Sequence, residues 1–233
     1  MNRLCISTRG IGSWRERLAD PDGQWRRGFS AFETAVSWEL ASKNKSGLPK
    51  QIETVFRIGG FGDPLLIFAI AEHKVDLHGK GPASQSDVWA IVNTAAGMVS
   101  LTVEAKAKEA FGNEILNGWL VGETNENRTR RWEHIRSHLP LSNSFHPVRY
   151  QILHRCAASV MEAKRLHFQH AAFIVQAFDA PTKSFQDYSI FCKALNIVAA
   201  RGHMARTSVD NISLSIGWVD CPFASDGDVA ATV

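Results

Sequence analysis

Ser84-Gln85-Ser86-Asp87-Val88-Trp89 and, past a turn, Val103-Glu104-Ala105-Lys106 are the stretches that decide the fold. Residues two apart on a strand share a face, so Glu104 and Lys106 point one way while Leu101, Val103 and Ala105 point the other. Whether Asp87 joins them depends on the hairpin between strands predicted over 88–93 and 98–106. Opposed residues in an antiparallel pair have numbers with a constant sum. A loop of Thr94, Ala95, Ala96 and Gly97 pairs Asn93 with Met98, a sum of 191. Asp87 and Glu104 share that sum and therefore lie opposite one another. A slip of one residue would throw Asp87 to the other face.

Two carboxylates opposed on neighbouring strands repel unless a cation lies between them. A hard divalent ion that keeps several waters and takes one or two carboxylates suits Mg²⁺, or Mn²⁺ in its place. Lys106, on the same face, could hold an attacking water or steady charge on a phosphate oxygen.

Outward from the hairpin, Ser30 with Glu33 three residues on forms a capping box for a helix over 30–43, ended by Gly47 and Pro49. A strand rich in Ile, Phe and Leu spans 65–75, and Gly79, Gly81 and Pro82 force a loop after it. The polar stretch 112–144 reads as two helices. Val148, Ile152, Leu153, Cys156, Ala157, Val160 and Met161 have helical spacing within 146–167. A buried-type strand over 171–178, a helix over 184–196 and a last strand over 212–219 complete the order. This is an α/β chain with a mixed sheet flanked by helices (α+β in its antiparallel part), the strand at 171–178 adding parallel to the meander through a helical crossover. The expected organisation is a basic N-terminal extension over 1–29, a single domain over 30–220 with a helical insertion at about 112–144, and a flexible tail over 221–233.

The 233 residues carry 26 Lys+Arg against 23 Asp+Glu, a net charge of +3 that is too small to demonstrate a nucleic-acid partner. The apolar runs at 65–71 and 171–175 fall far short of the ~20 residues a membrane span needs, so no membrane partner is expected. The opening residues lack the apolar core of a secretory signal. Cys5, Cys156, Cys192 and Cys221 are scattered with no Cys-x-x-Cys, which argues against a zinc staple and for a reducing, cytoplasmic setting. Zinc hydrolysis is not expected, the histidines being read as giving no His-x-x-x-His pair, and no Gly-x-Ser-x-Gly elbow or phosphate loop at Gly59-Gly60-Phe61-Gly62 is expected.

The Asp87…Glu104-x-Lys106 pattern resembles the PD-(D/E)XK nuclease superfamily, whose core is a helix, a three-strand meander, a helix and a further strand. Ser86 stands where the superfamily's name puts Pro. Phe29-Ser30-Ala31, Ser37-Trp38-Glu39, Glu72-His73-Lys74, Ser84-Gln85-Ser86-Asp87, Val103-Glu104-Ala105-Lys106 and the run Arg149-Tyr150-Gln151-Ile152-Leu153-His154-Arg155 look, more closely, like a bacterial family with no established activity. That resemblance covers about 25–195. The superfamily resemblance implies a Mg²⁺-dependent phosphodiester hydrolase acting on nucleic acid, DNA foremost, in a restriction or phage-defence setting, with a homodimer allowed. Asp87 and Glu104, helped by the Ala105 carbonyl, would hold the ion, and Lys106 would position the water. The alternative is a nuclease-fold module that binds nucleic acid or protein without cutting. In it, Asp87, Glu104 and Lys106 form a salt-bridged cluster.

Other residues are candidates of a second rank. Glu72 ends the first strand, on the face of Leu66, Phe68 and Ile70, as a third carboxylate or a solvated sheet-end acid. Glu39 is either a helical acid beside the ion, as the superfamily often has, or an exposed partner of Lys43. Strand alternation puts Glu109 off the site face. Gln151, His154 and Arg155 form one polar helix edge, with Arg155 a phosphate ligand, Gln151 an orienter of Lys106 or water, and His154 a structural support. Arg128, Arg130, Arg131 and Arg136 around Trp132 suit backbone contact and base stacking, or form a solvated helix face.

Overall fold

The computed structural model describes residues 10–121, 126–142 and 147–232. Arg3, Cys5 and Arg9 lie outside the described residues. In chain order the elements are α1 (Gly12–Arg15), α2 (Pro21–Gln24), α3 (Ser30–Ala41), α4 (Lys50–Ile58), β1 (Leu65–Val75), β2 (Ser84–Thr94), β3 (Gly97–Lys106), α5 (Leu116–Val121), α6 (Glu126–Arg136), α7 (Tyr150–Arg165), β4 (His170–Phe178), α8 (Thr182–Ala194), β5 (His203–Val209), β6 (Ile212–Cys221) and α9 (Asp226–Ala230).

The strands form one six-stranded mixed sheet in the order β1-β2-β3-β4-β6-β5. β1, β2 and β3 are an antiparallel meander, β4 runs parallel to β3, and α7 makes the crossover. The hairpin register is the expected one, with Asn93 opposite Met98 and Val88 opposite Val103. The turn is tighter than expected, because Thr94 pairs with Gly97 and leaves only Ala95 and Ala96 as the loop. A loop shortened by one residue on each side keeps the sum, so every side chain keeps its face.

Helices cover both faces, and a core fills each side of the sheet. Ile152, Leu153, Cys156, Ala157 and Val160 of α7 pack with Phe173, Val175 and Trp218 on one side. Phe32, Ala35, Val36 and Trp38 of α3 and Ile52, Val55 and Phe56 of α4 pack with Val88, Ala90, Leu101 and Val103 on the other. β4 is buried along almost its whole length, as a central strand with helices on both faces must be. Each such aliphatic or aromatic side chain contributes roughly 1.5–3 kcal/mol when fully buried. Cys156, Cys192 and Cys221 are buried free thiols. No helix is long and apolar enough to cross a membrane among the described residues.

Four local expectations need correcting. Phe29, not Ser30, is the N-cap of α3 and offers no side-chain cap; Glu33 instead accepts from the Gly28 N–H at 2.7 Å and the Ala224 N–H at 2.8 Å. The segment before α3 does not extend away, since Ile11 and Trp14 are buried in the α3 core. The segment expected as a flexible tail carries α9, closed by a Ser225–Asp228 capping box and tied to Arg27 through Asp226. Leu66 faces the α3 side with Ala69 and Ala71, because a bulge between Leu66 and Phe68 shifts the pairing by one residue.

Candidate active site

Past Val88 and Val103 the ladder between β2 and β3 ends. The Asp87 carboxylate fills the gap, its Oδ2 accepting the Ala105 N–H at 2.6 Å. Glu104 and Lys106 leave β3 on the α7 side, where the helix meets them. Glu104 Oε1 accepts from Lys106 Nζ at 2.6 Å and Gln151 Nε2 at 2.8 Å, and Oε2 from Arg155 Nε at 2.7 Å. Gln151 and Arg155 stand one turn apart on α7, so one helix face delivers both groups to one carboxylate. Gln151 is itself held by the Gly112 N–H at 2.8 Å.

Glu72 reaches the same place by a backbone device. Its φ of 56° breaks the strand alternation, a conformation that costs a non-glycine residue and is kept where structure overrides it. Gln85 Nε2 then donates to Glu72 Oε2 at 2.6 Å. Glu72, Asp87, Glu104, Lys106 and Arg155 line one cavity of about 500 Å³. Leu18 and Gln24 of the N-terminal segment and Phe29 at the start of α3 complete its wall.

Charge in the cavity is uneven. Burial pushes the Asp87 carboxyl well above the usual range, and repulsion from Glu104 and Glu72 adds to it. Burial likewise pushes Glu72 up to about 7, with Glu104 adding and the Gln85 hydrogen bond and Arg155 opposing. Burial would raise Glu104 too, but Lys106 and Arg155 together hold it below its ordinary value. Burial would lower Lys106, yet Glu104 and Asp87 keep its ammonium charged. Two cations therefore serve one carboxylate fully, while burial shifts Asp87 and Glu72 toward their protonated forms.

Glu109 belongs to this wall, contrary to the alternation argument, because β3 ends at Lys106 and the chain bends there. Its Oε2 is shut off from solvent with no hydrogen-bond partner among the described residues. Only a buried, unpartnered carboxylate oxygen could have flagged it, and that is not visible in a sequence. Gln85 was missed for a similar reason: it matters only because Glu72 turns toward it.

Other candidates lie elsewhere. Glu39 accepts from Trp14 Nε1 at 2.8 Å and is not among the cavity residues, while Lys43 reaches the Ala231 carbonyl instead of Glu39. An indole N–H from before α3 occupies the acid expected beside the ion. His154 is structural, its Nδ1 2.8 Å from Ser84 Oγ and its ring kept neutral first by burial, then by Arg155 and Arg131. The basic face of α6 does not form. The helical period turns Arg131, Trp132 and Ile135 inward, so Trp132 joins the core and Arg131 Nε donates to Tyr150 Oη at 2.7 Å. Arg128 caps the Trp119 carbonyl at 3.2 Å, and Arg130 pairs with Glu126 on the surface. His134 of α6 stacks on His78 and meets His138, just past the helix end, edge-on; burial and these two neighbours bring His134 down to about 4. No group of three or more His, Cys, Asp or Glu is arranged to hold a metal ion among the described residues.

A protein-family model described as a domain of unknown function (DUF6946) matches residues 7–222. No curated protein and no solved structure matches the chain.

Proposed function

Because the chain belongs to the DUF6946 family of unknown function, its activity has to be read from the site, and we propose that it is a divalent-ion-dependent phosphodiester hydrolase acting on nucleic acid, DNA foremost. The observation that carries this reading is the meeting of Asp87, Glu104 and Lys106 where β2 and β3 part, with Arg155 of α7 against them. The order α3, β1–β3, α7, β4 supports a PD-(D/E)XK-like core, a helix, a meander, a helix and a strand.

The donor set suits a hard divalent ion. Asp87 and Glu104 would hold it with the Ala105 carbonyl, a ligand number that Mg²⁺ completes with water. Acid in excess of cations, and the unpartnered Glu109 Oε2, mark a cavity that lacks positive charge. A bound ion supplies Lewis-acid charge at the phosphoryl oxygens. The chain's own groups do the rest. Lys106, held charged by Glu104 and Asp87, orients a water or a phosphate oxygen. Arg155 commits Nε to Glu104 while its Nη1 makes only a 3.5 Å contact to Ser84, which leaves that end for a phosphate oxygen. Glu72, titrating near 7, can take the proton of the attacking water at neutral pH.

One observation favours the second reading, a module that binds without cutting. Both Glu104 oxygens are engaged by Lys106, Gln151 and Arg155, so the Glu104–Lys106 part of the salt-bridged cluster expected of such a module is present, although Asp87 accepts the Ala105 N–H and is not part of it. A cleavage panel of single- and double-stranded DNA and RNA with Mg²⁺ or Mn²⁺, run beside Glu104→Ala, separates the two. Ion-dependent cleavage lost in the variant supports the hydrolase. No cleavage of any form, with nucleic acid still bound, supports the module.

A further inference from the structure

A second cavity of about 320 Å³ adjoins the acid one and shares Gln85, Gln151 and Arg155 with it. Its own wall brings together Arg131, Tyr150 and His154. Arg131 is 7% exposed, and no carboxylate lies within ion-pair distance of it among the described residues. Its guanidinium is answered only by neutral groups: Nε by the Tyr150 hydroxyl, Nη2 by the Pro82 carbonyl, and Nη1 by nothing among the described residues. A buried cation without a counter-ion is costly unless an anion arrives to meet it. Tyr150 accepts from Arg131 and so has its own proton to give to such an anion. Burial first, and then Arg155 and Arg131 beside it, keep His154 neutral, so it brings no charge of its own to the cavity. Glu114 is the one carboxylate of the wall and opposes anion binding.

We propose that this cavity is a phosphate subsite: it takes a phosphate of the same strand, next to the one attacked in the acid cavity, with Arg155 bordering both. The inference rests on the acid cavity being the hydrolytic site. It makes the substrate a strand carrying at least two phosphates, so a diester with a single phosphate uses only the acid cavity. The second phosphate is either an internal diester or a terminal monoester.

The test is equilibrium binding in EDTA, which needs no cleavage. Labelled circular single strands, linear strands with a 5′-phosphate, linear strands with a 5′-hydroxyl and the matching duplexes are titrated into the full chain, into Arg131→Gln and into Ala83→Glu. Ala83 is a half-buried residue of the cavity wall, so its variant adds a repelling carboxylate without disturbing the core. Losing a charged hydrogen bond to phosphate should weaken binding about 10- to 100-fold and lower the salt slope by about 0.7–0.9. Inorganic phosphate should compete with the strand on the wild type and not on Arg131→Gln, and bis-p-nitrophenyl phosphate should bind all three alike. Equal loss on circular and linear strands assigns an internal phosphate; loss confined to the 5′-phosphorylated strand assigns a terminal one. Should Arg131→Gln not fold, Ala83→Glu decides. Unchanged affinity and slope in the folded variants, or no binding by the wild type, overturns the subsite. Cleavage with Mg²⁺ alongside unchanged binding overturns the subsite alone; Arg131-dependent binding without cleavage overturns the hydrolase alone.

Discussion

Replacing Glu72 with Gln should make stability respond differently to pH. In the unfolded chain this carboxyl ionises near its ordinary value of 4.5, while in the fold burial, then Glu104, hold it up to about 7 against the Gln85 hydrogen bond and Arg155. Between those pH values the folded state binds more protons than the unfolded one, so wild-type stability falls as pH rises and levels off above 7. At about 1.4 kcal/mol per pH unit the gap corresponds to ~3 kcal/mol, and partial exposure of Glu72 reduces this to about 2 kcal/mol. Gln keeps the shape and can still hydrogen-bond Gln85, but it does not titrate. Glu72→Gln should therefore match the wild type near pH 4 and exceed it by about 2 kcal/mol at pH 8, with most of that difference opening between pH 5 and 8. Urea unfolding at pH 5, 6, 7 and 8, with equal slopes for both proteins, reads the difference. Mg²⁺ at pH 8 should narrow it by stabilising the ionised wild type. A difference that stays constant from pH 5 to 8 would refute the reasoning.

Lys106→Ala should abolish cleavage and also cost stability, ~3 kcal/mol or less, because Lys106 is buried against Glu104 while Arg155 and Gln151 remain with that acid; cleavage and urea midpoints are measured on the same preparation. Asp87→Asn should erase the Mg²⁺-dependent rise in melting temperature seen in the wild type at pH 8, since it removes a charged ligand of the ion. That rise should be larger at pH 8 than at pH 6, because the ion binds ionised carboxylates. Asp187→Ala, which strands Arg149 at the start of α7, should cost ~3–5 kcal/mol, read as a thermal midpoint lower by roughly 10 °C, with Mg²⁺-dependent cleavage per folded molecule unchanged.

The sheet was legible where one rule governs it. Alternation and loop length fix the β2–β3 register, so Asp87, Glu104 and Lys106 could be brought together from numbering alone. β5 was not legible: it is an edge strand with no buried residue along it, and it has no apolar pattern to betray it. α4 is hidden by Pro49, which ends one helix by rule and yet is the N-cap of the next, where Ile52, Val55 and Phe56 repeat at helical spacing. At the site, the missing information is tertiary. Glu72 enters through a positive φ, and Glu109 through a bend after β3. Glu39 is claimed by Trp14, and the arginines around Trp132 are split between core and surface by the phase of α6. The expectation of no His-x-x-x-His pair was wrong, since His134 and His138 have that spacing, but His138 Nδ1 is 2.7 Å from the His134 carbonyl, its ring meets His134 edge-on, and His134 stacks on His78.

The most direct test of the central claim is an anomalous difference map from crystals of the full chain soaked in Mn²⁺ at pH 8. The account predicts one strong peak within ligand distance of both Asp87 and Glu104, with Lys106 Nζ drawn away from its present 2.6 Å contact with Glu104 Oε1. The peak should be absent from Asp87→Asn crystals. A wild-type map with no peak in the cavity, and Glu104 still held by Lys106, Gln151 and Arg155, would contradict it.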